Sequence, residues 1–166
     1  MPRDESNQEP KLREATLDDA DSIHGLAAEL AKTVGDAPPN KDEVRRKLEA
    51  LLDDPRVRVI VAEGEAGLLG AASLWIKPDL AHGDTVVEVP MLVVAKEARR
   101  GGVGKLLMAE VQKVATENDA NLIELVATRS NMAAQEFYRS LGFTEADVVS
   151  LEFVGSVENP PDPEKN

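Results

Sequence analysis

A glycine-rich segment with three basic residues is the first feature of this sequence that could do chemistry. Residues 99–105 read Arg-Arg-Gly-Gly-Val-Gly-Lys and lie between an apolar segment and an amphipathic one. Glycines let a backbone approach a ligand closely, and the free amides at a helix N-terminus attract phosphate groups. The segment therefore predicts either a phosphate-binding loop or a simple turn in which Gly101 and Gly102 adopt positive φ angles.

Two familiar phosphate-binding motifs do not fit these residues. A dinucleotide-binding fingerprint that begins at Gly102 requires glycine or alanine at position 107, where the chain has Leu107. A P-loop with Gly104 as its second glycine requires glycine at position 99 and Ser or Thr at position 106, and neither is present. The motif that remains is Arg-x-x-Gly-x-Gly, formed by Arg99, Gly102 and Gly104.

A second patterned segment follows about thirty residues later. It reads Asn131-Met-Ala-Ala-Gln-Glu-Phe-Tyr-Arg-Ser-Leu-Gly-Phe143 and holds three of the chain's five aromatic residues. Together, the two segments resemble the GNAT superfamily of acyl-CoA-dependent N-acetyltransferases. The first resembles the family's pyrophosphate-binding motif, (Gln/Arg)-x-x-Gly-x-(Gly/Ala), and the second is similar to its Asn-x-x-Ala-x-x-(Phe/Leu)-Tyr-x-x-x-Gly-Phe helix. The resemblance implies a GNAT-like fold, acetyl-CoA as the co-substrate and no metal.

The resemblance also implies where the coenzyme binds. The backbone of the strand at residues 85–95 would pair with the pantetheine arm through Leu92, Val93 and Val94, with the Leu92 amide as the donor to the thioester oxygen. The residues expected to hold the pyrophosphate are Arg99, Arg100, Gly101, Gly102, Val103, Gly104 and Lys105. For the two arginine side chains, a solvated basic turn is the alternative.

Both the acceptor and the departing thiolate need a proton transfer. An amine is mostly protonated at neutral pH and cannot attack a thioester until that proton leaves. By resemblance, Tyr138 would be the general acid for the coenzyme sulfur, with a core tyrosine as the alternative. Asn131 would cap its helix and also touch the pantetheine, with the capping role alone as the alternative.

The base is less clearly marked in the sequence. Glu88 is the sole charged residue at positions 86–95, and burial there would make it a stronger base. Its place, eleven positions before Arg99, is similar to that of the base glutamate in the histone-acetylating branch of the family. His82, in the loop before this strand, and ordered water are the alternatives, whereas His24 is expected to be structural.

Apolar periodicity and cap signals predict the elements that position these residues. Strands are predicted at residues 11–15, 56–63, 68–76, 85–95, 122–127 and 148–154. Helices are predicted after a capping box at Thr16, after the cap Asn40, at residues 102–118 and from Asn131 to Leu141. The strand–helix–strand passage over residues 85–127 implies a right-handed parallel crossover. We therefore expect an α/β (or α+β) fold with a mixed central β-sheet flanked by helices.

Three local features refine this expectation. A hairpin is predicted around residues 64–67 and a loop at residues 77–84. Gly142 fits a left-handed helix C′ position, with Phe143 as its apolar C″ contact. Pro90 removes a ladder donor and predicts a bulge or a locally unpaired stretch. Simple alternation along the strand puts one apolar set on one face (Val86, Leu92, Val94) and a second set on the other (Val87, Val89, Met91, Val93).

Length and composition indicate one globular domain. The chain has 166 residues, of which 42% are hydrophobic and 30% charged. We expect the domain at residues 11–155, between disordered tails at residues 1–10 and 156–166. No signal peptide or membrane span is recognisable, so a cytoplasmic location is expected.

Charge and cysteine content exclude several classes of function. The net charge of −12 argues against a nucleic-acid or membrane surface. The absence of cysteine excludes a disulfide framework and an acyl-cysteine route. The sequence thus favours direct transfer of an acetyl group from acetyl-CoA to a small-molecule or peptide amine. A non-catalytic acyl-CoA-binding or sensory module is the alternative, and a homodimer is possible.

Overall fold

The computed structural model describes residues 9–160 and 162–164. Backbone contacts divide the chain into two compact units, residues 1–131 and residues 132–166. Of the predicted N-terminal tail, residues 1–8 lie outside the described part of the chain. None of the described helices is long and apolar enough to cross a membrane.

The described residues of the first unit form five strands and three α-helices. In chain order these elements are β1 (Lys11–Glu14), α1 (Ala20–Val34), α2 (Lys41–Asp53), β2 (Val57–Gly64), β3 (Gly67–Asp79), β4 (Asp84–Val94), α3 (Val103–Glu117) and β5 (Leu122–Leu125). The second unit contains α4 (Met132–Ser140).

The five strands make one mixed sheet in the order β1-β2-β3-β4-β5. The first four are antiparallel neighbours, and β5 lies parallel to β4 after the connection through α3. This confirms the predicted mixed sheet and parallel crossover. The predicted loop at residues 77–84 is wrong in extent, because the pairs Lys77↔Val86, Pro78↔Thr85 and Asp79↔Asp84 continue the β3–β4 ladder to the turn.

Helices cover both faces of the sheet. On one face, Ile23 and Leu26 of α1 and Leu48 of α2 pack in one core cluster with strand residues such as Val61 and Ala71. On the other face, α3 lies so close that a Cβ on Gly70 would be 3.1 Å from the Leu107 side chain. Glycine at position 70 therefore permits α3 to approach the sheet, which fits the double coverage that the apolar β4 sequence predicted.

A bulge in β4 forms where Pro90 predicted one. The β3–β4 register passes from Ser73↔Met91 to Trp75↔Glu88, so β4 has one residue more than β3 over this stretch. Paired residues share a face, and Ser73 and Trp75 lie on the same face of β3. Met91 and Glu88 therefore also lie on one face. The predicted grouping of Met91 with Val87 and Val89 is wrong, because the extra residue reverses the alternation.

The start of α1 is held by a partly buried ion pair. The Arg13 guanidinium in β1 donates to both carboxylate oxygens of Asp19, at 2.8 and 2.9 Å, and its Nε donates to Glu63 at 2.9 Å. Asp19 also accepts from the backbone N–H of Thr16 at 2.8 Å, in the predicted capping box. A short 3₁₀ turn at Leu17–Asp19 precedes α1. These bonds connect β1 and β2 to the first helix.

The predicted C-terminal strand at residues 148–154 is wrong. No strand is assigned in this segment, and Val148, Val149 and Leu151 are exposed. Alternating apolar residues supply strand propensity, but a strand needs a hydrogen-bonded neighbour, and the segment has none here. In the predicted tail from residue 156 onward, the described residues contain only an isolated bridge between Ser156 and Asn159.

Candidate active site

Among the described strands of the first unit, none pairs with the second half of β4 on the side away from β3, and we call this side its free edge. β5 pairs with residues 86–89 of β4, and the last pair is Val89↔Leu125. On the opposite edge, the Ala95 N–H donates to the Leu69 carbonyl at 2.8 Å, next to β3. Because successive backbone N–H groups point to opposite sides of a strand, the amides of Leu92 and Val94 point away from β3. They lie beyond the last β4–β5 pair, where an extended ligand can join the sheet.

The three residues predicted to bind the pantetheine arm therefore differ in geometry. Leu92 and Val94 direct their backbone groups to the free edge. Val93 directs its backbone towards Ala71 of β3, and its side chain is buried in the core. Val93 thus supports the position of the edge, while its two neighbours supply the hydrogen-bonding groups.

The glycine-rich loop presents backbone amides at the start of α3. Gly102 is the N-cap residue, with φ +84°, and no side chain caps the helix. The first intrahelical bond runs from the Leu106 N–H to the Gly102 carbonyl at 3.1 Å. The N–H groups of the first helical turn, Val103 to Lys105, precede this bond and have no intrahelical acceptor. Their amides and the positive helix end form a suitable environment for a phosphate group.

Three basic residues lie in the same segment as these amides. Arg99, Arg100 and Lys105 are all exposed. Arg100 has φ +67°, an uncommon conformation for a residue with a side chain. The Nε of Arg99 donates to the carbonyl of Val94 at 3.2 Å, so this side chain lies against the free edge of β4. The loop thus concentrates positive charge in a chain of net charge −12.

Glu88 lies on the sheet face that carries Trp75. Its side chain is 37% exposed, so the burial expected from its apolar neighbours in the sequence is only partial. Its carboxylate forms an ion pair with the Lys77 ammonium across β3 and β4. The register pairs Glu88 with Glu124 of β5 on its other side. A carboxylate in this position can bind a cation or accept a proton.

The two histidines have different surroundings. His82 lies in the β3–β4 turn with its side chain 76% exposed, and its Nδ1 is 2.6 Å from Asp79 Oδ2. The hydrogen bond to the Asp79 carboxylate raises the pKa of His82 above its ordinary value. His24 Nε2 is 3.0 Å from the Pro39 carbonyl, so this histidine connects α1 to the turn before α2. Over the described chain, no group of three His, Asp or Glu residues could hold a metal ion.

In the second unit, Tyr138 lies in an aromatic cluster on α4. Its ring centroid is 5.2 Å from that of Phe137 and 5.8 Å from that of Phe143. The helix ends as predicted: Gly142 has φ +94°, and the N–H groups of Gly142 and Phe143 donate to the Arg139 and Tyr138 carbonyls. Burial raises the pKa of the Tyr138 phenol, so the group keeps its proton at neutral pH.

Asn131 immediately precedes α4, at the position of the predicted cap. Its backbone N–H donates to the Thr128 carbonyl at 3.0 Å, which forms a turn just before the helix. The turn and the Gly142 ending together define α4 as a helix of nine residues.

Two contacts near the proposed coenzyme edge could not be predicted from the sequence. One is the bond between Arg99 and the Val94 carbonyl, and the other is the ion pair of Lys77 with Glu88. Lys77 falls in the predicted loop, and only a β3–β4 register extended to Asp79 brings it beside Glu88. Pro78 obscures that signal, because proline within a strand argues against strand pairing.

Comparisons with known proteins agree with these features. A sequence model of the acetyltransferase (GNAT) family matches residues 22–143. An aminoalkylphosphonate N-acetyltransferase of Salmonella typhimurium is 30% identical over 136 residues, which cover 82% of this chain and 86% of that protein.

Solved structures share the fold at lower identity. A transcriptional regulator from Bacillus halodurans C-125 is 22% identical with a TM-score of 0.77, over 86% of this chain and 97% of its own. A possible acetyltransferase from Clostridium difficile 630 is 23% identical with a TM-score of 0.77, over 90% of this chain and 99% of its own. The family match spans most of the chain, and it includes both motifs and the free edge of β4. The chain therefore belongs to the acetyltransferase (GNAT) family.

Proposed function

We propose that this protein transfers an acetyl group from acetyl-CoA directly to a primary amine. The observation that carries the proposal is the continuity of the free β4 edge with the amide-rich loop at the start of α3. An extended pantetheine arm needs the first feature and a pyrophosphate needs the second. In this GNAT-family chain the strand edge leads directly into the loop, as the pantetheine arm leads into the pyrophosphate in one coenzyme molecule.

The residues of β4 would hold and polarise the thioester. The Leu92 amide donates a hydrogen bond to the thioester oxygen, where negative charge develops during attack. Val94 holds the arm further along the edge, and Val93 anchors the strand in the core. The Val94 carbonyl already accepts from Arg99 at 3.2 Å, so that side chain shares this acceptor with the arm or gives it up when the arm binds.

The loop would bind the pyrophosphate through its backbone. The amides of Gly101, Gly102, Val103, Gly104 and Lys105 supply donors, and the positive helix end adds a favourable field. Arg99 and Arg100 add charge-assisted hydrogen bonds from exposed positions next to these amides.

Proton transfer would use one residue for the amine and another for the sulfur. Glu88 accepts the proton of the acceptor ammonium, which frees the nitrogen lone pair for attack. Tyr138 donates its phenolic proton to the departing sulfur, a role that its raised pKa supports. Asn131 contributes a contact to the pantetheine beside its helix-capping role. Glu88 is favoured over His82 because it lies four residues from Leu92 on β4, whereas His82 lies in the preceding turn.

The proposed acceptor is a primary amine on a small molecule or a peptide. The Salmonella relative is, by name, an aminoalkylphosphonate N-acetyltransferase. Aminoalkylphosphonates therefore join simple alkylamines, diamines and a lysine peptide as acceptor classes. We place the whole activity in a domain at residues 11–155.

A panel assay tests the proposal. The purified full-length chain is incubated with acetyl-CoA and each amine, and release of free coenzyme A thiol is measured. We expect acceptor-dependent release with one class and a product heavier by one acetyl group. A chain that binds coenzyme A by calorimetry, yet releases no thiol with any amine, would instead be a non-catalytic acyl-CoA-binding module.

A further inference from the structure

We infer that Lys77 is a positioning residue for Glu88, the proposed base. The inference rests on the proposed function, because it gives Lys77 a task only if Glu88 takes a proton from the acceptor. The register pairs Trp75 with Glu88 and Lys77 with Val86. Lys77 and Glu88 are therefore diagonal neighbours on one sheet face, a separation that long side chains can span.

The Glu88 side chain needs an orienting partner. It is 37% exposed and has several rotatable bonds, so without a partner it would sample many rotamers. The Lys77 ammonium donates to Glu88 Oε2. Across residues 9–160 and 162–164, no hydrogen bond to the other carboxylate oxygen is found. The ion pair therefore fixes one oxygen and leaves the second available to an acceptor ammonium.

Lys77 also forms an ion pair with a residue of a third strand, β5. Its Nζ is 3.9 Å from Glu124 Oε1, and Glu124 stands opposite Glu88 in the β4–β5 register. The Glu88 hydrogen bond raises the pKa of Lys77, and the charges of Glu88 and Glu124 act in the same direction, so the ammonium stays charged at neutral pH. Lys77 is also the single Lys or Arg between Arg58 and Lys96 in the sequence. No neighbouring basic residue of β3 or β4 could replace it.

The alternative is a cross-strand ion pair that serves the fold alone. Partly exposed pairs of this kind contribute little to stability. The two roles make different predictions. A structural pair affects the unfolding midpoint and leaves turnover unchanged, whereas a positioning pair affects turnover and depends on Glu88 for its effect.

A double-mutant cycle separates these roles. The variants are Lys77→Met, Lys77→Arg, Glu88→Gln and the double variant Lys77→Met/Glu88→Gln. Lys113→Met is the matched control, because Lys113 pairs with Glu110 at 3.8 Å on α3, outside the sheet. Thermal unfolding shows that each variant is folded, and kcat and KM are measured by thiol release with an amine that the wild type accepts.

We expect Lys77→Met to lower kcat about tenfold and to leave the KM for acetyl-CoA unchanged. Lys77→Arg should recover most of the loss, and the double variant should be no slower than Glu88→Gln. An unchanged or raised kcat in Lys77→Met, or losses that multiply in the double variant, would overturn the inference alone. A wild type that transfers acetyl to no amine would overturn the proposed function itself.

Discussion

The Nε of Arg99 donates to the carbonyl of Val94 at 3.2 Å. This bond connects the first residue of the glycine-rich motif to the free edge of β4, five residues earlier. Arg99 thus lies between the two parts of the proposed coenzyme site, within reach of the edge and beside the exposed amides of the α3 N-terminus. In the proposed complex, this side chain would exchange its backbone partner for a phosphate group of the coenzyme.

Replacement of Arg99 by Ala should weaken coenzyme A binding about tenfold. A charge-assisted hydrogen bond to phosphate is worth about 1.5–3 kcal/mol, but the wild type gives up the Arg99–Val94 bond to form it, so the net loss in the variant is smaller. Isothermal titration calorimetry at low and high salt measures the effect, which should shrink as salt screens the phosphate. Lys113→Ala, far along α3, is the control and should bind as the wild type does. Equal affinities of the Arg99 variant and the wild type would contradict a phosphate contact.

Replacement of Gly102 by Ala should reduce both stability and coenzyme affinity. Gly102 has φ +84°, and a methyl group added there would meet no other atom within 4 Å, so the cost is conformational, about 1 kcal/mol. Gly35 at the end of α1 is a matched control, with φ +83° and the same open space. Both variants should lose similar stability in urea unfolding, and only Gly102→Ala should bind coenzyme A more weakly. The same affinity loss in Gly35→Ala would point to a global effect.

Tyr138→Phe should lower kcat by about 10²-fold while coenzyme A affinity stays nearly unchanged, because the phenolic proton is lost and the ring is kept. The contact with Phe143, now 5.8 Å between ring centroids, should persist in the variant. Stopped-flow thiol release and calorimetry on the same preparation give the two quantities. Turnover at the wild-type rate would show that water or another group protonates the sulfur.

Asp19→Asn should destabilise the protein by about 1.5–3 kcal/mol at pH 7, because Arg13 would lose a charged partner. The Arg13 hydrogen bond lowers the pKa of Asp19 in the folded state. This contribution is therefore fully present above the ordinary carboxyl pKa, about 3.9, and is lost as pH falls through the lowered folded-state value.

Urea unfolding of both proteins between pH 7 and pH 2 measures this linkage. The difference in unfolding free energy should shrink towards the acid end. Asp21→Asn is the control, since its pair with Lys41 at 3.3 Å is exposed, and it should change stability little at any pH. A difference that stays constant with pH would exclude the ionised Asp19 as its source.

Local signals in the sequence were sufficient to predict most of the helices and their ends. The Asn40 cap is present, with its side chain accepting from the N–H groups of Asp42 and Glu43, and the Gly142 helix end is present as well. Each depends on a few adjacent residues, so spacing alone was enough. The missing strand at residues 148–154 depended on a distant pairing partner, which no local pattern specifies.

The candidate site divides in the same way. The glycine loop and its three cations are contiguous in sequence and could be predicted. The partner of Glu88 could not, because it depends on the β3–β4 register across a proline and on a bulge. Pro90 indicated the bulge, but the number of extra residues, and therefore the face that Glu88 occupies, became clear only from the pairing with Trp75.

The extra residue in β4 decides which face of the sheet Glu88 occupies. If β4 kept its length but paired with β3 without a bulge, Glu88 would stand opposite Ile76 instead of Trp75 and would point towards α3, while Val87 and Val89 would point towards α1. Deleting Pro90 would instead close the bulge and keep Glu88 opposite Trp75. A single-codon deletion at this position would thus preserve the side-chain order of the strand, whereas a regular strand of the present length would not.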